Sequence, residues 1–363
     1  MTLQYRFDDF EKSDIPAVRD LLSLVFSAPF TDEYLSWKYF ANPHGPSAST
    51  VVRRGGAVVG FMGIIATRFL VDGKEVLAGQ GADIAISESH RRLDVFIRLL
   101  TAIEDRVRAR GIQFTYGTTN RDIDELNEVL NFQTPVGPVP RLARIMNAGE
   151  FFRQSGLPWP KKIIGAVFAA LKNVASFEKN IVLPDGLKFS TIERFDERFD
   201  RLWEKMVLEK SVSAIRSSEY LNRRIFDAPL KSRHVLSVEN DSSNEIRGFI
   251  ALQEFSADGF NRGIILDVAV PCGENPAIFH ALLDAALAWF SRKKVGVIDC
   301  WMVSNDRWYG EMLRGGFIPK QIEKARFQIC FFGDGMHPTA RALTNESNWR
   351  LSIIDSDQFT LTL

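Results

Sequence analysis

GADIAISESHRRLDVFIRLLTAIE, residues 81–104, changes its period partway along. Ile84 and Ile86 alternate with their neighbours as strand residues do, whereas Phe96, Leu99, Leu100 and Ile103, continued by Val107, fall on one face of a helix. Between the two patterns stands a polar corner with His90, Arg91 and Arg92. The stretch is therefore a strand, a turn and a helix N-terminus. Such a corner suits an anion, because the first N–H groups of a helix lack internal partners and the aligned peptide dipoles favour negative charge there. The glycines that let a backbone approach a phosphate closely are missing between Arg91 and Ile97.

Reading outward, Val51 and residues 58–69 fit two strands, 76–86 a third, and 113–117 the strand after the helix. The order then starts again. EYLSWKYFANP (33–43) reappears as EYLNRRIFDAP (219–229), and both read as a short helix closed before a proline. Gly60 and Phe61 correspond to Gly248 and Phe249, Asp83 to Asp267, and Asn120 to Asn305, the two asparagines each lying twelve residues before a phenylalanine, Phe132 or Phe317. In the second copy Ile278, Leu282, Leu283, Leu287 and Phe290 give the helix, and 297–302 the following strand. Each copy reads helix, helix, three strands, helix, strand, helix, strand. Asn120 and Asn305 are expected to cap the helix that follows them.

The boundaries expected are a first domain at 1–147, a linker at 148–186 and a second domain at 187–363. In the linker Ile164, Val167, Phe168, Leu171, Val174 and Phe177 form an apolar helical stripe with Lys161, Lys162, Lys172 and Lys179 nearby. The stretch 161–179 is read as a helix packed on the protein in preference to one lying on a membrane surface.

The 363 residues exceed the size at which one core usually stops growing. Lys plus Arg and Asp plus Glu balance at 45 each, so no global positive field points to nucleic acid or anionic lipid. The first residues lack a signal-peptide pattern, and no run of about 18 apolar residues offers a membrane span. The expected location is the cytoplasm. Three cysteines, Cys272, Cys300 and Cys330, lie apart and out of CxxC spacing, which suggests neither a disulfide framework nor a metal site.

Two copies of a strand ending in Asp-x-Ala-Ile/Val, a turn, a helix, a strand, then Asn with a Phe twelve later resemble tandem domains of the GNAT superfamily of acyl-CoA-dependent N-acyltransferases. The resemblance covers about 7–132 and 188–332. It implies an α/β (α+β) fold of two GNAT-like domains, each a mixed, mostly antiparallel sheet flanked by helices. It also implies acetyl-CoA or another acyl-CoA as cosubstrate and a small-molecule or peptide amine as acceptor. In that superfamily the fourth strand bonds the pantetheine arm and an Arg/Gln-x-x-Gly-x-Gly/Ala loop cradles the pyrophosphate. Carried onto this chain, the cofactor residues are Ile84, Ile86, Arg91, Arg92, Leu93 and Asn120, and Asp83 takes the place of the acidic base. Arg91 matches the loop, but Asp94 and Phe96 replace its glycines. In the second copy Glu274 replaces the arginine, Pro276 lies in the loop, and Ala277 and Phe279 replace the glycines, so the first copy is the expected cofactor site. The tyrosine that often serves as acid is replaced by Asn127 and Met312, leaving Tyr116 and Tyr309 as alternatives.

Two further readings stand beside an N-acyltransferase. One is a tandem scaffold without catalysis, which the lost glycines and tyrosines favour. The other is an aminoacyl-tRNA-dependent ligase of the peptidoglycan-bridge type, which the neutral net charge disfavours.

Overall fold

The computed structural model describes residues 4–119, 121–147, 181–229, 232–257, 260–320, 326–331 and 339–357. Asn120 and the stripe at 161–179 lie outside these residues. The first half runs β1 (Tyr5–Asp9), α1 (Ile15–Phe26), α2 (Asp32–Tyr39), β2 (Thr50–Arg54), β3 (Ala57–Val71) and β4 (Lys74–Ile86). It continues with α3 (Leu93–Ala109), β5 (Phe114–Thr118), α4 (Arg121–Leu130), β6 (Thr134–Pro138) and β7 (Arg141–Ile145). The second half repeats this order as β8 (Leu187–Ile192), α5 (Glu197–Met206), β9 (Val212–Ala214), α6 (Ser218–Leu221), β10 (Arg233–Asn240), β11 (Ile246–Ala257) and β12 (Phe260–Ala269). After α7 (Pro276–Arg292) come β13 (Val297–Trp301), α8 (Tyr309–Arg314), β14 (Ile318–Pro319), β15 (Arg326–Phe331), α9 (Ala340–Leu343) and β16 (Trp349–Arg350). The strand-turn-helix reading of 81–104 and the repeat both correspond to these elements.

The strands form two mixed sheets, each mostly antiparallel with helices against its faces. The first has the order β1-β2-β3-β4-β5-β15-β6, with β9 added beside β3 and β16 beside β9; the second has the order β14-β7-β13-β12-β11-β10-β8. Each sheet contains one parallel step on its main path, β4 to β5 or β12 to β13, bridged by the long helix α3 or α7.

The sheets exchange strands. β7, from the first half, pairs with β13 in the second sheet, and β15, from the second half, sits between β5 and β6 in the first. The exchange is reciprocal and gives each sheet a strand from the other half of the chain.

Helix α3 shows why the central layer forms. Val95, Phe96, Leu99, Ile103 and Val107 are buried against Met62, Ile64 and Ile86 of the sheet, as the 3.6-residue period requires. On the other face α1 and α2 bring Leu22, Tyr34, Leu35 and Tyr39 against Phe61, Ile65 and Ala82, and that core runs on into Phe195, Phe199 and Phe249 of the second half.

Candidate active site

The parallel step between β4 and β5 is short. Pairing runs from Ala78–Phe114 to Gln80–Tyr116 and stops there. Beyond that point β4 is bent by an extra residue, because the β3–β4 register slips between Phe61 and Gly63, and Asp83 takes a left-handed backbone conformation with φ of 49°. A bulge of this kind turns a strand away from its neighbour. The two strands diverge around a cavity of about 730 Å³.

The cavity passes from one face of the sheet to the other. On the α3 side it is lined by Met62, Ile64, Ile86, Phe96 and the turn residues Arg91, Arg92 and Leu93, and on the α1 side by Val25, Phe26, Asp83 and Asp357. The structure thus brings Asp83, Ile84, Ile86, Arg91, Arg92 and Leu93 to one cavity.

Within the turn the two arginines do different things. Arg91 Nε donates to the Ile86 carbonyl at 3.0 Å and so braces the corner. Arg92 is the residue preceding α3, offers the helix no side-chain cap, and pairs with Asp94 at 2.9 Å. Arg92 draws the Asp94 carboxyl below the usual carboxylate range, and the backbone N–H groups of Asp94 and Val95 add to that effect. Asp94 thus places a carboxylate in the first turn of the helix.

The second half has the same divergence in outline but it is filled. β12 and β13 pair from Arg262–Val297 to Ile265–Cys300, and β12 also carries an extra residue against β11. The space beyond is about 20 Å³ and is lined by Trp301, Met302, Trp308, Arg350, Leu351 and Ser352. Phe279 lies flat on Trp308 with ring centroids 4.5 Å apart. At the helix start Asn275 accepts from the Ala277 N–H at 3.0 Å, and Glu274 is held by Arg247 at 3.0 Å. This space is too small for a nucleotide.

Asp83 sits in a buried ion network. Its Oδ2 accepts from Lys38 Nζ at 2.7 Å and from the Tyr39 hydroxyl at 2.5 Å. The side chains of Asp83 and Lys38 are each 1 % exposed. The carboxylate expected to serve as the base therefore faces α2 and is already engaged by two donors. Lys38 also reaches Asp357 at 3.2 Å. Burial works most strongly against the Lys38 charge, but Asp83, Tyr34 and Asp357 together outweigh it, and the ammonium is held more firmly than in water. Burial raises the Tyr39 phenol, and the nearby Asp83 raises it further.

The second half repeats this network with other residues. Arg216 donates to Asp267 at 2.9 Å and to Asp355 at 2.6 Å, all three being buried. Asp355 and Asp357 belong to one tail, so that its two carboxylates are held by the two central cations. Arg224, the counterpart of Lys38 in the repeat, binds the Ile354 carbonyl of the same tail at 3.0 Å. Lys38 and Asp357 were not singled out from the sequence. The signal available was the repeat itself, which aligns Lys38 with a second basic residue at the same place.

Other expectations change. Asn305 does not cap α8; its amide donates to the Ser347 carbonyl at 2.7 Å and its carbonyl accepts from Lys210 at 2.9 Å, while Asp306 accepts from the Trp308 N–H at 2.9 Å. The loop after β13 bends before α8 begins, which carries Asn305 too far from the helix start. Asn127 ties down the next loop through the backbone N–H and carbonyl of Gln133. Tyr116 packs among Phe69, Phe327 and Trp349, and Tyr309 packs against the second core.

The Acetyltransferase (GNAT) domain family matches residues 6–121, the stretch that carries the open cavity's strands and the turn before α3. No curated protein sequence matches the chain significantly. Among solved structures, N-myristoyltransferase from Saccharomyces cerevisiae with bound myristoyl-CoA and inhibitors aligns over 97 % of this chain and 86 % of its own, with TM-score 0.63 and 15 % identity. A GCN5-related N-acetyltransferase from Anabaena variabilis covers 91 % of this chain and 73 % of its own, with TM-score 0.61 and 10 % identity. A probable N-acyltransferase from Enterococcus faecalis gives the same 91 % coverage with TM-score 0.60 and 10 % identity. Among the described residues no helix is long and apolar enough to cross a membrane. Residues 6–121 thus match the GNAT domain family, and the chain as a whole shares the two-domain fold of these solved structures.

Proposed function

We propose that the protein is an N-acyltransferase that binds one acyl-CoA per chain, in the divergence between β4 and β5, and transfers the acyl group to an amine. The observation that carries this reading is the asymmetry between the halves: about 730 Å³ of open cleft in the first and about 20 Å³ in the second. The unpaired edges of β4 beyond Gln80 supply N–H and C=O groups for the amides of a pantetheine arm. The start of α3 supplies donors and positive dipole for the pyrophosphate. Ile84, Ile86, Leu93 and Phe96 supply an apolar wall for the rest. Arg91 acts by holding the corner in shape and Arg92 by its charge, and Asn120 is proposed as a further cofactor contact. Asp83 is assigned an anchoring role, fixing Lys38 and Tyr39 at the inner end of the cleft. Solved neighbours include an enzyme with bound myristoyl-CoA, which supports an acyl-CoA cosubstrate while the acyl length stays with the experiment.

The test is calorimetric titration of CoA into the protein and into Arg91→Ala and Asp94→Gly. One site per chain is expected, weakened in Arg91→Ala. It should tighten several-fold in Asp94→Gly, since a carboxylate is removed from the anion's place and the backbone can approach more closely. Two equivalent sites, or an affinity indifferent to both changes in folded protein, would remove the first cleft as the cofactor site. Absence of CoA binding would return the scaffold reading.

A further inference from the structure

Transfer of an acyl group to an amine requires a group that accepts the amine's proton. The expected group, Asp83, has its carboxylate 1 % exposed, with Lys38 and Tyr39 both on the same oxygen. Asp267 and Asp355 are as deeply buried and serve the closed half. Asp357 differs from all three. Its side chain is 14 % exposed and lines the open cavity beside Val25 and Phe26, on the side of the sheet opposite the turn that precedes α3.

We propose that Asp357, carried into the first cleft by the tail of the second half, accepts the proton of the attacking amine, and that Lys38, itself fixed by Asp83, holds it in place. This rests on the reading of that cleft as an acyl-CoA site. The geometry gives the two ends of the cleft separate tasks. The anion-binding corner lies at Arg92 and α3, and the carboxylate lies at the other end, where a thioester carried through the gap between β4 and β5 would emerge. The tail is placed firmly, because Arg216 holds Asp355 two residues earlier and Arg224 holds the Ile354 carbonyl. The incoming ammonium gives one proton to the Asp357 carboxylate, and the free amine forms the C–N bond at the thioester carbon. The C–S bond breaks, CoA leaves as thiolate and takes the second proton from nitrogen, and Asp357 returns its proton to water.

Among the described residues, Lys38 and Tyr39 from α2 and Asp83 from β4 act on Asp357. Burial lifts the Asp357 carboxyl above its ordinary range, Lys38 pulls it back, and the Asp83 charge lifts it again. A carboxyl so raised is a stronger proton acceptor once ionised.

The test measures thiol release from acetyl-CoA, with methylamine as acceptor, across pH in the wild type, Asp357→Asn and Asp357→Glu, beside calorimetric CoA affinity and thermal melting. The wild-type rate should rise with pH through the Asp357 ionisation. Asp357→Asn should lose about a hundredfold or more of the rate together with that limb of the profile, with CoA affinity unchanged. Asp357→Glu should recover part of both. Lys38 keeps Asp83 as its partner in either variant, so the fold is retained. An Asp357→Asn protein that binds CoA and keeps the wild-type rate and profile would overturn the assignment, as would a CoA-binding wild type with no thiol release to methylamine. Failure of CoA to bind the wild type would instead remove the cleft assignment on which both rest.

Discussion

His44 is 7 % exposed, its ring lies flat on Tyr220 with centroids 4.6 Å apart, and its Nδ1 accepts from the Arg68 N–H at 3.0 Å. Burial, with Arg68, Arg223 and Arg224 adding positive charge, lowers its pKa from 6.5 to about 3. The folded state therefore holds the ring neutral while the unfolded chain protonates it below about pH 6.5. The stabilisation is fully present above that pH and is lost progressively as pH falls towards 3. Between pH 6.5 and 5 the loss should be about 2 kcal/mol, from about 1.4 kcal/mol per pH unit. Urea unfolding at the two pH values reads this directly. His44→Gln keeps an acceptor for Arg68 without the titration and should flatten the difference; equal pH slopes in the two proteins would disprove it. Nothing in ANPHGPS marks this histidine as buried, because the stack depends on a tyrosine 176 positions away. Lys38 was hidden for the same reason, since its partners come from β4 and from the tail.

The bulge in β4 is the element on which the cleft depends, and it is supported from the next strand by a missing side chain. A Cβ added at Gly63 would overlap the ring and hydroxyl of Tyr39, the group that donates to Asp83. Gly63→Ala is expected to cost about 1–3 kcal/mol, the range for overpacking a close-packed core. It should also move Tyr39 off Asp83. In Tyr39→Phe the hydroxyl is already absent, so the double variant should be less destabilised than the sum of the two single ones. Strict additivity in chemical denaturation would show that the clash is absorbed elsewhere. At this scale the sequence was informative. The period of α3 and the alternation of β4 are local properties, and the repeat located their counterparts α7 and β12. The bulge itself was marked only by an aspartate in a strand, and aspartate there reads equally well as a local hydrogen-bonding residue.

The reciprocal exchange of β7 and β15 makes each sheet depend on both halves of the chain. Ile329, at the centre of β15 and fully buried, packs in the core that includes Phe69, Tyr116 and Trp349. Ile329→Ala should destabilise by about 2–5 kcal/mol. Because its strand is covalently part of the second half, calorimetry should show the whole chain unfolding together at lower temperature. Two separated transitions, with the second sheet's unmoved, would show the sheets to be independent. The exchange was not legible beforehand, since a strand's period indicates which face is buried and not which sheet receives it.

Exchange also sets a schedule for synthesis. Roughly 210 residues separate the end of β5 at Thr118 from the start of β15 at Arg326, so at a ribosomal pace of about 5–20 residues per second the partner strand arrives about 10–40 s later. Until then β5 presents an open edge that includes Phe114 and Tyr116, and an unpaired edge is a template for pairing with another chain. On a crowded polysome the nearest strand of matching sequence is β15 of a neighbouring nascent copy. A holding chaperone or slow dilution during refolding should therefore raise the yield of monomer over strand-swapped dimer.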